Sequence, residues 1–539
     1  MKYKLLYAAS ALALASLSAP AAAQHAGHGG MTMPMPAKPT AKKPVKKKTA
    51  PKKAVAKKPA AKKAPASNAA KARQPAKSEP MPMDHSQMDH SAMDHGAAQP
   101  AEPPAAPANA PDQSQMDHSQ MDHSQMDHSQ MDHSQMDHSA MAPADHMGHQ
   151  AMTGALGPYP MAREASGTAW QPDASEHEGI HLMRGDWTLM GHGALNLVYD
   201  HQSGRRGDDK LFASGMLMGM ARRPLGNGTL QFKAMVSPDP LMGKTGYPLL
   251  LASGETADGE TRLIDRQHPH DFFMELSASV SQNIGPKSSV FLYGGLPGEP
   301  AFGPPAFMHR EAIMDSPEAP ISHHWLDSTH ISFGVLTAGV LLDRVKVEVS
   351  RFNGREPDQH RWNIETGPLD STAVRLSWDP TANLSLQGSW GHFEDPEQLE
   401  PGVDQKRWSA SLLYARDIAP GWKFAGTLAW GRKTVEEHGE ALKDDAYVAE
   451  AAVKHEGWTI FGRGEMTENR ELLDIHEHGP AFRVGKVSLG AIRDFKVAEH
   501  LSFGVGGLFA VNFVPDGLEA LYGGSNPTGA MGFVRLKID

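Results

Sequence analysis

The chain of 539 residues has no cysteine. That absence removes disulfide staples, thiolate metal ligands and cysteine nucleophiles together. Aromatic residues are sparse, at 7%, and long tracts are purely polar, so one uniform globular core over the whole length is excluded. After the N-terminus no run of about 18 apolar residues occurs, which excludes a transmembrane helix. No Gly-x-Ser-x-Gly elbow and no phosphate-binding glycine loop is present. Acidic residues are missing between Lys38 and Lys77, where 15 basic ones cluster, whereas Met161 to Asp539 carries 35 basic and 50 acidic residues. The net charge of −10 therefore averages a cationic segment and an acidic body.

What is present begins with an export signal. Lys2 and Lys4 precede an apolar stretch from Leu5 to Leu17, and Ala21-Ala22-Ala23 supplies a small-residue cleavage site before Gln24. Residues 1–23 read as a secretory signal peptide, which places the mature chain outside the cytoplasm. Residues 24–80 are a Lys/Ala/Pro-rich linker that cannot fold alone, because like charges repel and little apolar surface is available to bury. Its charge suits an anionic cell-wall polymer by plain electrostatics, and export makes nucleic acid an unsuitable partner.

Residues 81–165 hold five-residue repeats reading Met-Asp-His-Ser, usually followed by Gln. Eight units pair Met83 with His85, Met88 with His90, Met93 with His95, Met116 with His118, Met121 with His123, Met126 with His128, Met131 with His133 and Met136 with His138. Met141, His146, Met147 and His149 extend the series. A methionine stripe usually packs in a core. Here its neighbours are Asp, His, Ser and Gln, with no apolar face at a period of 2 or 3.6, so packing is excluded. Thioethers select Cu(I), and by the same softness Ag(I), while imidazole accepts Cu(I), Cu(II), zinc and nickel. Methionine and histidine without cysteine therefore point to copper as bound cargo. At three or four ligands per ion, eight repeats hold on the order of four ions. The connection from Met136 to the first strand gives a coil reach of roughly 40 Å.

These Met-Asp-His-Ser-Gln-Met runs resemble those of the outer-membrane copper-resistance protein B family (CopB/PcoB). The likeness lies in the repeats, over roughly residues 24–152, and in the layout of signal, Met/His tail and all-β body. It implies copper handling, a tail in the periplasm, a barrel in outer-membrane lipid and periplasmic copper proteins as partners.

The body, residues 166–539, alternates in polarity over short segments. Phe272, Met274, Leu276, Ala278 and Val280 share one face against Phe273, Glu275, Ser277, Ser279 and Ser281. Val345, Val347 and Val349 alternate with Lys346, Glu348 and Ser350. Period two means strands with one apolar and one polar face. Segments of this length cross a bilayer when tilted. About sixteen antiparallel strands fit between 186 and 538, with short turns and longer loops alternating, two loops of about 31 residues. The expected fold is all-β: an outer-membrane barrel after a long disordered N-terminal tail. An even strand number puts both barrel ends on the periplasmic side. Such a barrel has an aqueous lumen unless something plugs it, and Glu275, Lys346, Glu348, Arg463 and Glu465 are expected to face it.

Two of the external loops carry more histidine: His268 and His270 in one, His309, His323, His324 and His330 in the next. If both fold inward, imidazoles and carboxylates line a constriction that an ion must pass. Hydrogen bonds that merely hold the loops are the plainer alternative. His177-Glu178-Gly179-Ile180-His181 matches the His-Glu-x-x-His zinc-protease pattern, but Gly179 weakens the helix that the motif needs, and no enzyme is expected. The composite expectation is a copper-tolerance protein whose tail captures metal beside a barrel that anchors it or conducts it outward. A general porin with an incidental tail and a sequestering tail on a closed barrel are the alternatives.

Overall fold

In the computed structural model the alternating segments pair into one antiparallel ring. The structure describes residues 152–176, 179–437, 439–473 and 479–538. The export signal, the Lys-rich segment and all eight Met/His repeats, with Met141, His146, Met147 and His149, lie outside the described residues.

The strands are β1 (Ile180–Arg184), β2 (Trp187–Gln202), β3 (Asp209–Leu225), β4 (Gly228–Val236), β5 (Tyr247–Thr256), β6 (Arg262–Gln267), β7 (Phe273–Gly285), β8 (Ser288–Gly295), β9 (Val335–Leu342), β10 (Val345–Phe352), β11 (Ser371–Thr381), β12 (Leu384–Phe393), β13 (Gln405–Ala419), β14 (Trp422–Glu437), β15 (Glu440–His455), β16 (Trp458–Asn469), β17 (Phe482–Ala498), β18 (Leu501–Phe513) and β19 (Thr528–Ile538). Sixteen of them form the wall. Each pairs with its sequence neighbour, except that β4 passes over the β5–β6 hairpin to pair with β7. β19 closes the ring on β2, with Ile538 opposite Gly193 and Gly529 opposite Gln202. β1 continues the same edge of β2 beyond β19, with Ile180 opposite Gly191. Closure satisfies every backbone row inside the wall, which is the condition for a sheet to stand in hydrocarbon.

The outward face confirms that solvent. Leu211, Leu428, Ile460 and Leu489 are each more than half exposed, and comparable side chains recur on strands around the ring. Soluble proteins rarely tolerate so much contiguous apolar surface. Rings mark both rims of the belt: Trp378, Trp422 and Trp458 stand beside the short turns, and Tyr199 and Trp408 lie toward the long loops. Lys346, Glu348, Arg463 and Glu465 point inward and are buried, while Val347 and Val349 are exposed outside, as the sequence pattern requires. One phase differs. Met274, expected on the apolar outer face, is fully buried inside with Met216 and Met235. A register shift between Met235 and Val236, opposite Glu275 and Phe273, turns it inward. The connection from β14 to β15 is also tighter than expected, because both strands extend past the bilayer-length segment to pair Glu437 with Glu440.

An open aqueous lumen is not what the structure contains. Three insertions fill it. Residues 152–165, assigned by composition to the tail, pack within the barrel together with 166–176. Leu156, Tyr159 and Trp170 meet Phe291 and Leu341 on the inner wall. The polar wall bonds this segment's backbone in place of water: Ser281 Oγ donates to the Ala155 carbonyl at 2.7 Å, Ser289 Oγ to Leu156 at 2.6 Å, and Lys346 to Thr168. Arg163 fixes the segment's own turn through Asp173 at 2.7 Å and Asp379 at 3.2 Å. Composition failed here because the segment borrows its apolar partners from the wall. The second insertion, residues 237–272, carries β5 and β6. Its run Leu249-Leu250-Leu251 is fully buried among inward residues of β16–β19. The third spans residues 296–334. Deleting residues 152–176 is expected to raise single-channel conductance in planar bilayers severalfold. Unchanged conductance would mean that the two loops alone seal the barrel.

Candidate metal centre in the lumen

The second and third insertions meet inside the barrel. Pro269 ends β6-like pairing after Gln267, since proline lacks the N–H a ladder needs, and the chain turns so that His268 and His270 face inward and are buried. Across from them, His323 and His324 sit on the one-turn helix His323–Leu326, and His330 closes the turn Ser328–His330. Trp325 and Leu326 seat this helix against Ala429, Ala446 and Val448. The small wall residues leave room for it, and Trp325 Nε1 donates to the Asp444 carbonyl at 3.1 Å.

His270, His323 and His330 converge. One ring nitrogen from each lies within 4.8 Å of the others. The rings stand 5.0 Å apart for His270 and His330 and 5.2 Å apart for His323 and His330, centre to centre. Every Nδ1 is already engaged: His270 with Asp239 Oδ2 at 2.8 Å, His323 with Asp327 Oδ1 at 2.8 Å, His330 with the Asp327 carbonyl at 2.7 Å. With Nδ1 donating, Nε2 is the nitrogen left to face a shared ion. Nε2 of His270 and of His330 is buried without a hydrogen-bond partner among the described residues. Burying such an atom unpaired is costly. Imidazoles oriented through Nδ1 by a carboxylate or carbonyl, with Nε2 converging, are the arrangement that holds metals.

Burial and the neighbouring imidazoles His270 and His323 press His330 well below its ordinary pKa. Burial also lowers His323, against the pull of Asp327. Both shifts favour the neutral ring, whose lone pair a metal can take. Three imidazole nitrogens and no thiolate suit copper, zinc or nickel. Beneath them, Arg310 is fully buried, 2.5 Å from Asp327 and bound through two contacts of 2.7 Å to Glu450 on β15. Burial opposes its charge, but Glu450 and Asp327 overcome that and hold the guanidinium above its ordinary pKa. The chain His323–Asp327–Arg310–Glu450 thus ties the centre to the wall.

His268 and His324 adjoin the trio without joining its converging nitrogens: ring centres stand 5.7 Å apart for His323 and His324 and 6.2 Å apart for His268 and His323, against 6.4 Å for His270 and His323. His268 contacts Glu255 at 3.0 Å, and His324 stands 3.4 Å from Glu356. Their rings face each other at 5.5 Å. Burial and the nearby His324, His323 and His270 keep His268 well below its usual pKa. Gly254, at φ +118°, lies under His324, and a Cβ there would reach the ring at 2.8 Å. His309 is near His192 instead, ring centres 6.5 Å apart. His181 lies on β1 and not on a helix; His177 and Glu178 of the protease-like motif lie outside the described residues.

Sequence reasoning missed Asp239, Arg310 and Glu450, because nothing local distinguishes them. It also missed a methionine row that a period-two reading would have found. Met216, Met218 and Met220 all face inward on β3, and Met190 on β2 stands opposite Met220. A cavity runs from His270 and Asp239 past Met216, Met218 and Met220 to Glu176 and Lys537 near the short-turn end.

These features define a class: a sixteen-strand membrane-spanning β-barrel of the outer-membrane type, with its lumen filled by its own chain. No protein-family model matches the chain, and no curated protein matches it. Among solved structures it is similar to the outer-membrane protein OmpT of Vibrio cholerae, at 10% identity over 66% of this chain and 100% of that one, with a TM-score of 0.39. It is likewise similar to an anion-selective porin from Comamonas acidovorans, at 12% identity, 65% and 100% coverage and a TM-score of 0.39. OmpF of Salmonella typhi, in complex with daunomycin, gives 12%, 66% and 100%, and 0.43.

Proposed function

We propose that the chain is a copper- and silver-tolerance protein of the outer membrane, whose Met/His repeats capture metal in the periplasm and whose barrel holds an ion in transit at His270, His323 and His330. The observation that carries this reading is the trio itself: three buried imidazoles, each held at Nδ1 by an oxygen acceptor, with one ring nitrogen of each within 4.8 Å of the others. Its chemistry matches the donors of the repeats, and the two belong to one chain. The connection between them is short. From the last full repeat at Met136 to Met152, where the described chain begins, even a fully extended backbone spans at most about 55 Å. A tethered ion is therefore held at a high effective concentration near the barrel. In this reading the metal is cargo, and direction is set by its gradient or by a periplasmic partner protein.

The filled lumen favours a gated or holding barrel over a general porin as the second reading. A strain carrying the chain without Met83–Met141 is expected to lose copper and silver tolerance, scored as minimum inhibitory concentration against a strain with the full chain. Equal tolerance in the two strains removes the repeats from the function.

A further inference from the structure

Away from the three imidazoles, the inner wall mixes charged and hydroxyl side chains with apolar clusters, such as the one that holds Leu249 to Leu251. On β2, β3 and β4 it changes character. His192 stands directly opposite Met218, and Met218 directly opposite Met235. All three are inward, in one row across three adjacent strands. Directly opposed residues have Cβ atoms about 5 Å apart, so two thioethers and an imidazole share one patch of wall. Met216 lies beside the row, and Met308 from the third insertion packs against it. His309, next in that insertion, places its ring 6.5 Å from His192, and its Nε2 is buried with no hydrogen-bond partner among the described residues. The outward neighbour between Met216 and Met218 is Leu217, so methionine is confined to the lumen side. The same cavity reaches His270.

Packing alone does not ask for this composition. A leucine at these positions conserves the volume that methionine fills beside Ile331 and Phe333. Sulfur beside two imidazoles is a donor set for a soft ion. Lys233, the cation on the same face of β4, is tied to Glu275 at 3.3 Å and to the Gly167 carbonyl at 3.0 Å. These four donors are thioethers and imidazoles, a set that favours a soft ion over a hard divalent one.

We infer that Met218, Met235, His192 and His309 form a second luminal site, specific for a monovalent coinage metal, Cu(I) or Ag(I), upstream of the three-imidazole centre in the same cavity. The site rests on the reading of the barrel as a metal-handling one and adds its oxidation state. An ion moves from thioether-rich to imidazole-only coordination as it passes, with no change of charge and no co-reactant.

The test uses the full chain in detergent, crystallised and soaked in silver nitrate, with silver located by anomalous scattering. A silver peak between Met218, Met235 and His309 is the expected result. Silver at His270, His323 and His330 alone overturns the second site and leaves the proposed function standing. Silver nowhere in the lumen overturns both. In solution, Met218→Leu with Met235→Leu preserves volume, and equilibrium dialysis is expected to register a loss of about one silver ion per chain. The three-imidazole centre should keep its Co(II) spectrum in that variant. Unchanged silver stoichiometry would mean that the methionines only pack.

Discussion

His323→Ala is expected to abolish four-coordinate metal binding in the lumen while leaving the tail's capacity intact. Co(II) is the useful probe, because thioethers hold it poorly and a tetrahedral imidazole site gives intense visible bands that solvated ions lack. The full chain should develop those bands, and the variant should not. His323 is the choice because it does two things at once. It supplies one of the three converging ring nitrogens, and its Nδ1 donates to one carboxylate oxygen of Asp327, whose other oxygen contacts Arg310. Losing a ligand costs more than losing the group that orients it, and the latter alone costs 10- to 100-fold in affinity. Asp239→Asn, which touches only the orientation of His270, should therefore weaken Co(II) binding by about that smaller factor. If His323→Ala keeps the bands, the convergence of the three rings is coincidental packing and the luminal part of the function is wrong.

How far the sequence alone leads is clearest from particular residues. Val345 to Ser350 alternates strictly, and its faces are those the structure has, because a bilayer outside and a polar filling inside both act at period two. The histidines of the two long loops were legible as a cluster for a similar reason. Loops of that length can fold back into a wide barrel, and both do. Which histidines converge was not legible. His309 and His330 belong to the same loop, yet His330 joins His270 while His309 turns toward His192. That choice is set by Trp325 docking on Ala429 and Ala446 and by Arg310 reaching Glu450, contacts about 100 residues or more apart in the chain. The 152–165 segment was misread because its apolar residues are few, and their partners Phe291 and Leu341 lie more than a hundred positions away. Composition measures what a segment can bury in itself and misses what a ready-made wall can bury for it.

Arg310→Ala is expected to be the most destabilising single substitution in the lumen. The guanidinium is fully buried between Asp327 and Glu450, whose side chains are 1% and 0% exposed. Removing it takes from both carboxylates the cation they contact directly, and breaking a buried pair in this way costs about 3–5 kcal/mol. The wall itself has ring-closing hydrogen bonds that do not involve Arg310, so the loss should fall on the third insertion. Trypsin or proteinase K treatment of the protein in lipid vesicles should cut the variant within residues 296–334 while the barrel band survives. Urea unfolding in vesicles should shift its midpoint downward. The neutral double replacement, Arg310→Met with Glu450→Gln, should recover part of the loss, because an uncharged pair no longer requires its partner. Glu450→Gln alone leaves Arg310 with Asp327 and should be milder than Arg310→Ala. This ordering separates an electrostatic tie from simple packing: if the double replacement is as sensitive as Arg310→Ala, the volume of the arginine, and not its charge, seats the loop that carries His323 and His330.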